Sequence, residues 1–209
     1  MILITGEGRS GTTMMVEIFG LLGFDYGGHL EFLREVRINK DTKFPEVIKH
    51  GGFSANLKKW IDEYHWKVDH FFYMANDIPN AIAKRLHYPS DSPIELKELD
   101  GTYRPAKVSP KMLNITGKEW DILTDDEKES ILLKWLFERL GSAAYVAIQC
   151  EVPFSVVHYQ KFCLDVNYAC SIMEPLLRLN RFTIERFRQV HKEHINLKLI
   201  KPWSELSVR

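Results

Sequence analysis

The stretch Ile2-Leu3-Ile4-Thr5-Gly6-Glu7-Gly8-Arg9-Ser10-Gly11-Thr12-Thr13 decides how the chain folds. Residues 2–5 are a short apolar, β-branched run of the kind that parallel sheets bury on both faces. Gly6 ends the run. Over residues 12–22 the spacing turns helical, with Met15, Ile18, Phe19 and Leu22 on one face. Between strand and helix, Gly6 and Gly11 stand at the spacing of a phosphate-binding loop. Glycines let backbone N–H groups turn toward an anion, and the helix N-terminus adds its dipole. A Walker A loop, GxxxxGK[ST], places a Lys on the terminal phosphates, and here Thr12 holds that position. The loop cation is Arg9, whose fork can grip a phosphate or sulfate through two hydrogen bonds. Thr12 and Thr13 add hydroxyl donors.

Working outward, Gly23 reads as a helix stop and Gly27-Gly28 as a turn. Residues 45–50 form a second short strand candidate. Ser54 reads as the cap of a helix over residues 55–64, with Leu57, Trp60 and Ile61 as its apolar face. Phe71-Phe72-Tyr73-Met74-Ala75 is a third strand, after which Asp77 caps a helix with Pro79 in its first turn and Ile82 and Leu86 facing inward. Residues 88–118 contain Pro89, Pro93, Pro105 and Pro110 and read as an irregular loop or lid. Thr124-Asp125-Asp126-Glu127 is a capping box. It opens a helix to at least Leu140; residues 144–149 fit either its continuation or a strand. A last strand is expected at residues 154–159. Asp165 caps a helix to about Leu177, and Thr183 starts another to about His194. Alternating strands and helices point to one domain over residues 1–209. Its expected fold is a three-layer α/β sandwich on a parallel sheet of P-loop type, with the ligand at the C-terminal ends of the strands.

Composition narrows the function classes. Of 209 residues, 45% are apolar and 12% aromatic, enough for a core. Lys+Arg and Asp+Glu are both 28, so nothing marks a protein that coats nucleic acid or an anionic membrane. Any anion site is local. The cysteines, Cys150, Cys163 and Cys170, are odd in number and lack a CxxC spacing, which argues against a disulfide framework or a zinc site and fits a reducing, cytoplasmic compartment. No basic leader and no run of about 18 apolar residues is seen, so neither a signal peptide nor a membrane span is expected.

Gly-Arg-Ser-Gly-Thr-Thr over residues 8–13 resembles the 5′-phosphosulfate loop of sulfotransferases that use 3′-phosphoadenosine 5′-phosphosulfate (PAPS), which reads P-[KR]-[SA]-G-T-T. Gly8 stands where that family has Pro. Three weaker likenesses follow in the family's order. Val47-Ile48-Lys49-His50 resembles the strand bearing a Lys and, in some members, a catalytic His. The segment from Val68 to Pro79 resembles the strand, turn and helix that bind the 3′-phosphate. Val156-Val157-His158-Tyr159-Gln160-Lys161-Phe162 resembles the late strand and turn reading Y-E-D-[LF]. In the 3′-phosphate element, Asn76 and Lys84 occupy the positions where the family supplies Arg and Ser.

The resemblance implies PAPS as cofactor, held by Gly8, Arg9, Ser10, Gly11, Thr12, Thr13, Asn76 and Lys84, with adenosine 3′,5′-bisphosphate as product and no metal required. Arg85, beside Lys84, is a further source of charge. The acceptor is a hydroxyl or amine on a small molecule or carbohydrate. Arg9 and Lys49 form the expected charge clamp and His50 the general base, with His29 or Glu31 as alternatives for the base. Lys49 equally reads as a solvated strand-end lysine, and Lys84 and Arg85 as ordinary polar-face helix residues. His158 and Tyr159 read as structural, and His191 and His194 as surface residues rather than a metal site. The five tryptophans read mostly as core or lid. Two rival functions stay open: a small P-loop kinase using ATP and magnesium, and a sulfotransferase-like nucleotide binder without catalysis.

Overall fold

The structure is a computed structural model, described here for residues 1–6, 11–27, 43–50, 53–76, 93–97, 103–107 and 124–195. Two compact units emerge, Met1–Asp77 with Glu138–Arg209, and Ile78–Phe137.

The first unit is built on a four-stranded parallel sheet in the order β2-β1-β3-β6. Its strands are β1 (Ile2–Gly6), β2 (Val47–Lys49), β3 (His70–Ala75) and β6 (Phe154–His158). β1 is the central reference, pairing Ile4 with Lys49 on one side and Gly6 with Met74 on the other. All five β1 residues are buried, as a strand covered on both faces and flanked on both edges requires. β6 pairs with β3 from Phe71↔Phe154 to Ala75↔His158 and is more exposed.

Helices lie on both faces, compatible with a three-layer α/β sandwich. Ile2, Ile4, Phe72, Met74 and Val157 point into one cluster with residues of α1 (Thr12–Leu21), α4 (Tyr159–Leu164), α5 (Val166–Met173) and α6 (Ile184–His194). Leu3, Ile48, Phe71 and Tyr73 point the other way, onto α2 (Phe53–Tyr64) and the C-terminal part of α3 (Asp125–Gln149). Strand alternation sorts neighbouring residues onto opposite clusters. Each fully buried Phe or Leu contributes about 1.5–3 kcal/mol over its exposed state.

Helix boundaries follow local chemistry. Asp165 accepts from the N–H groups of Asn167 and Tyr168 at 2.9 and 3.0 Å, and Thr183 accepts from Arg186 N–H at 3.2 Å. α1 buries Met15, Ile18 and Phe19 on its expected face, with Leu22 buried just past its end, and stops at Gly23, whose φ is +90°. Three expectations need correction. Ser54 lies inside α2, which begins at Phe53. β2 is shorter than residues 45–50, covering only Val47–Lys49, although Glu46 O and His50 N–H still bond Ile2 N–H and Ile4 O of β1 on either side of it. The helix after Asp165 ends at Met173 and tightens into a 3₁₀ turn, Glu174–Leu179. Pro175 lacks the N–H that would continue the ladder. Of the two readings left open for residues 144–149 the structure takes the helix, which runs on through Gly141; that glycine faces open space and weakens α3 without breaking it.

In the second unit, two stretches of the segment expected to be irregular pair as an antiparallel ribbon, β4 (Pro93–Lys97) with β5 (Tyr103–Lys107). Their prolines are compatible with it: Pro93 opens β4, and each strand of a two-stranded ribbon is an edge where one side needs no ladder bond. The capping box forms at the start of α3, with Thr124 N donating to Glu127 Oε2 at 2.9 Å and Glu127 N to Thr124 Oγ1 at 3.3 Å. The helix expected after Asp77, with Pro79, Ile82 and Leu86, lies outside the described residues.

Candidate functional site

Because the four strands are parallel, their C-terminal ends share one edge of the sheet. The chain runs from β1 to β2 on one side and from β3 to β6 on the other, so the direction of travel reverses between β1 and β3. Ligands of open α/β sheets bind at such a reversal, beyond the strand ends. The residues gathered there are Lys49 at the end of β2 and His50 after it, Gly11 and the start of α1, Asn76 after β3, and Tyr159 and Gln160 after β6.

α1 begins without a side-chain cap. Gly11, at φ +78° and ψ 15°, is its N-cap, and no acidic residue lies in its first turn. The left-handed conformation suits glycine and aims the first N–H groups beyond the end of β1. Into this partial positive charge comes a full one. Lys49 Nζ donates to Thr13 Oγ1 at 2.9 Å. A hydroxyl that accepts from an ammonium keeps its own proton to donate. Helix terminus, ammonium and hydroxyl therefore form a set of donors of the kind that an anion stabilises.

His50 follows Lys49, and its N–H bonds Ile4 O at 3.0 Å, which fixes the backbone at the sheet edge. Its half-buried ring meets Trp60 edge-on, centroids 5.9 Å apart. Asn76 is buried, and its Oδ1 accepts from Gln160 Nε2. The structure therefore brings Gly11, Thr12, Thr13, Lys49, His50 and Asn76 to one edge. Gly8, Arg9, Ser10, Lys84, Arg85, His29 and Glu31 lie outside the described residues.

Tyr159 and Gln160 at the start of α4 were passed over as site residues. The sequence signals for them are their place at the end of the last strand and the weak likeness of residues 156–162 to a turn reading Y-E-D-[LF]. Tyr159 lies against Gly11, leaving no room there for a Cβ. Burial, together with the neighbouring Cys163, pushes its hydroxyl up to about 12. His158 is exposed and caps α4, its Nδ1 accepting from Lys161 N–H at 3.2 Å.

The expectation of two surface histidines on α6 needs correction. His191 is buried, with Nε2 2.7 Å from Phe162 O and its ring among Phe162 and Phe187. The apolar face of α6 continues to its last turn, and the imidazole fills it by satisfying a carbonyl. His194 Nε2 lies 3.0 Å from Glu17 Oε2. No group of three or more His, Cys, Asp or Glu is placed to hold a metal, and no helix is long and apolar enough to cross a membrane, among the described residues.

A separate cleft, lined by Met1, Ile2, Phe24, Glu46, Asp69, Leu179 and Arg181, opens at the opposite, N-terminal ends of the strands. There Arg181 pairs with Glu46 and donates to Gly23 O at 3.0 Å, so its charge is engaged within the fold. Comparison with protein-family models, curated proteins and solved structures gave no match.

Proposed function

We propose that this chain is a sulfotransferase that moves a sulfuryl group from 3′-phosphoadenosine 5′-phosphosulfate to a hydroxyl or amine acceptor, on a sheet of P-loop topology. The observation that carries the reading is the bond from Lys49 to Thr13, which sets an ammonium beside the uncapped start of α1. The strand–loop–helix β1–α1 and the reversal of travel between β1 and β3 support the same reading. So does the loop sequence, in which Arg9 rather than a Walker Lys is the cation.

The donor set fits a phosphosulfate: backbone N–H groups, hydroxyls and cations, with no carboxylate in the first turn of α1. The bound nucleotide supplies an activated sulfuryl group, whose bond to phosphate breaks as the acceptor's bond to sulfur forms. Lys49 and Arg9 neutralise charge on the sulfuryl oxygens and the departing phosphate, in a region where fixed donors need no reorganisation. His50 accepts the acceptor's proton, for which an imidazole is suited near neutral pH. Asn76, with Lys84, holds the 3′-phosphate.

The test is transfer of labelled sulfuryl from PAPS to a panel of phenols, alcohols, amines and sugars. Lys49→Ala is expected to lower kcat/KM by about 10²-fold, the scale of one lost charge-stabilising donor. His50→Ala is expected to remove turnover while leaving nucleotide binding intact. Transfer to none of the acceptors, with ATP bound instead, would favour the kinase reading.

A further inference from the structure

The short helix α4 stands behind both halves of the proposed site. Its first residue, Tyr159, fills the space that any side chain at Gly11 would need. One turn on, Cys163 Sγ lies 3.7 Å from Met14 Sδ in the first turn of α1. Its second residue, Gln160, donates from Nε2 to Asn76 Oδ1 at the end of β3. The start of α4 is itself fixed, by the His158 cap and by His158 N–H donating to Tyr168 Oη at 3.0 Å. Two consecutive residues on one anchored turn thus touch Gly11 at the head of α1 and Asn76 just past β3.

We propose that Tyr159 and Gln160 are positioning residues for the nucleotide, Tyr159 seating Gly11 at the head of α1 where the 5′ group is taken and Gln160 turning Asn76 toward the 3′-phosphate; this rests on the sulfotransferase reading above. The Tyr159 ring sets how far Gly11 reaches back toward the sheet, and Gly11 heads the helix whose N–H groups meet the anion. Its phenol stays neutral at working pH, held high by burial and Cys163, so the ring's shape carries the role. For Asn76 the argument is orientation. A carboxamide held by its oxygen on one side presents its NH₂ on the other, and a phosphate takes donors.

The experiment is calorimetric titration of adenosine 3′,5′-bisphosphate and of adenosine 5′-phosphate into the whole chain and its variants. Tyr159→Phe should bind both ligands as the wild type does. Tyr159→Ala should weaken both by about tenfold or more, the scale of a misplaced binding element. Gln160→Ala should weaken the bisphosphate alone, narrowing the preference for a 3′-phosphorylated ligand. Gly11→Ala should cost more affinity in the wild type than in Tyr159→Ala. The backbone penalty at φ +78° is common to both backgrounds and cancels in the cycle. Unchanged affinities in Tyr159→Ala, an additive cycle, or equal weakening of both ligands in Gln160→Ala would overturn the proposal. Should Tyr159→Ala not fold, Tyr159→Leu and Gln160→Ala decide it. A wild type that binds neither nucleotide overturns the sulfotransferase reading, and the inference with it. Wild-type binding with indifferent variants overturns the inference alone.

Discussion

Acid should destabilise this fold through His70 before it titrates most carboxylates. His70 opens β3, is 2% exposed, stacks on Phe72 at 4.3 Å, and has Nε2 2.8 Å from Ser155 Oγ on β6. Its Nδ1 is buried with no hydrogen-bond partner among the described residues. A charged imidazole would be poorly solvated there, and the Arg178 guanidinium adds repulsion. Burial first, and Arg178 second, lower its pKa from 6.5 to about 4. Above pH 6.5 the imidazole is neutral in both states and the contribution to stability is complete. As pH falls from 6.5 toward 4 the unfolded chain takes up a proton that the folded chain refuses, and stability is lost. At ~1.4 kcal/mol per pH unit the interval comes to about 3 kcal/mol. Urea unfolding at half-unit steps from pH 7.5 to 4 measures it, with His70→Phe as reference. The Phe variant loses the Ser155 bond but keeps the ring packing, and its stability should fall less steeply between pH 7 and 5 than the wild type's. An NMR titration of the His70 ring reports the same quantity directly. Parallel pH curves for the two proteins, or a ring that titrates near 6.5, would refute the reasoning.

Two further outcomes test the packing and capping. Gly141→Ala should raise stability by about 0.5–1 kcal/mol in thermal unfolding, because a Cβ at this helical, exposed position meets nothing within 4 Å. Asp165→Ala should cost about 1 kcal/mol, since its carboxylate accepts from both Asn167 and Tyr168 N–H at the start of α5; chemical denaturation is the measurement.

Much of the fold could be read from the chain because its signals are local. A buried parallel strand is a continuous apolar run, and β1 and β3 are such runs. Asp165, Thr183 and the Thr124 capping box announce helix starts through their own side chains, and each forms the bond expected of it. What escaped depends on partners distant in sequence. The β4–β5 ribbon was hidden by its prolines, which a two-stranded edge tolerates. His191 looked polar and is core, because Phe162, 29 residues earlier, supplies its hydrogen-bond partner. The candidate site divides the same way. Residues 11–13 and Lys49 were legible as types, but their meeting needed β2 to lie beside β1. Tyr159 and Gln160 carried no motif strong enough to name them, and only the sheet order brings them behind Gly11 and Asn76.

The central claim is that the end of β1 and the end of β3 take the two ends of one bisphosphorylated nucleotide. Isothermal titration of the wild-type chain with adenosine 3′,5′-bisphosphate, and separately with Mg-ATP, tests it most directly. The account predicts saturable one-to-one binding of the bisphosphate that Arg9→Ala abolishes, and no comparable binding of Mg-ATP. Binding of Mg-ATP alone, or bisphosphate binding that Arg9→Ala leaves unchanged, would contradict it.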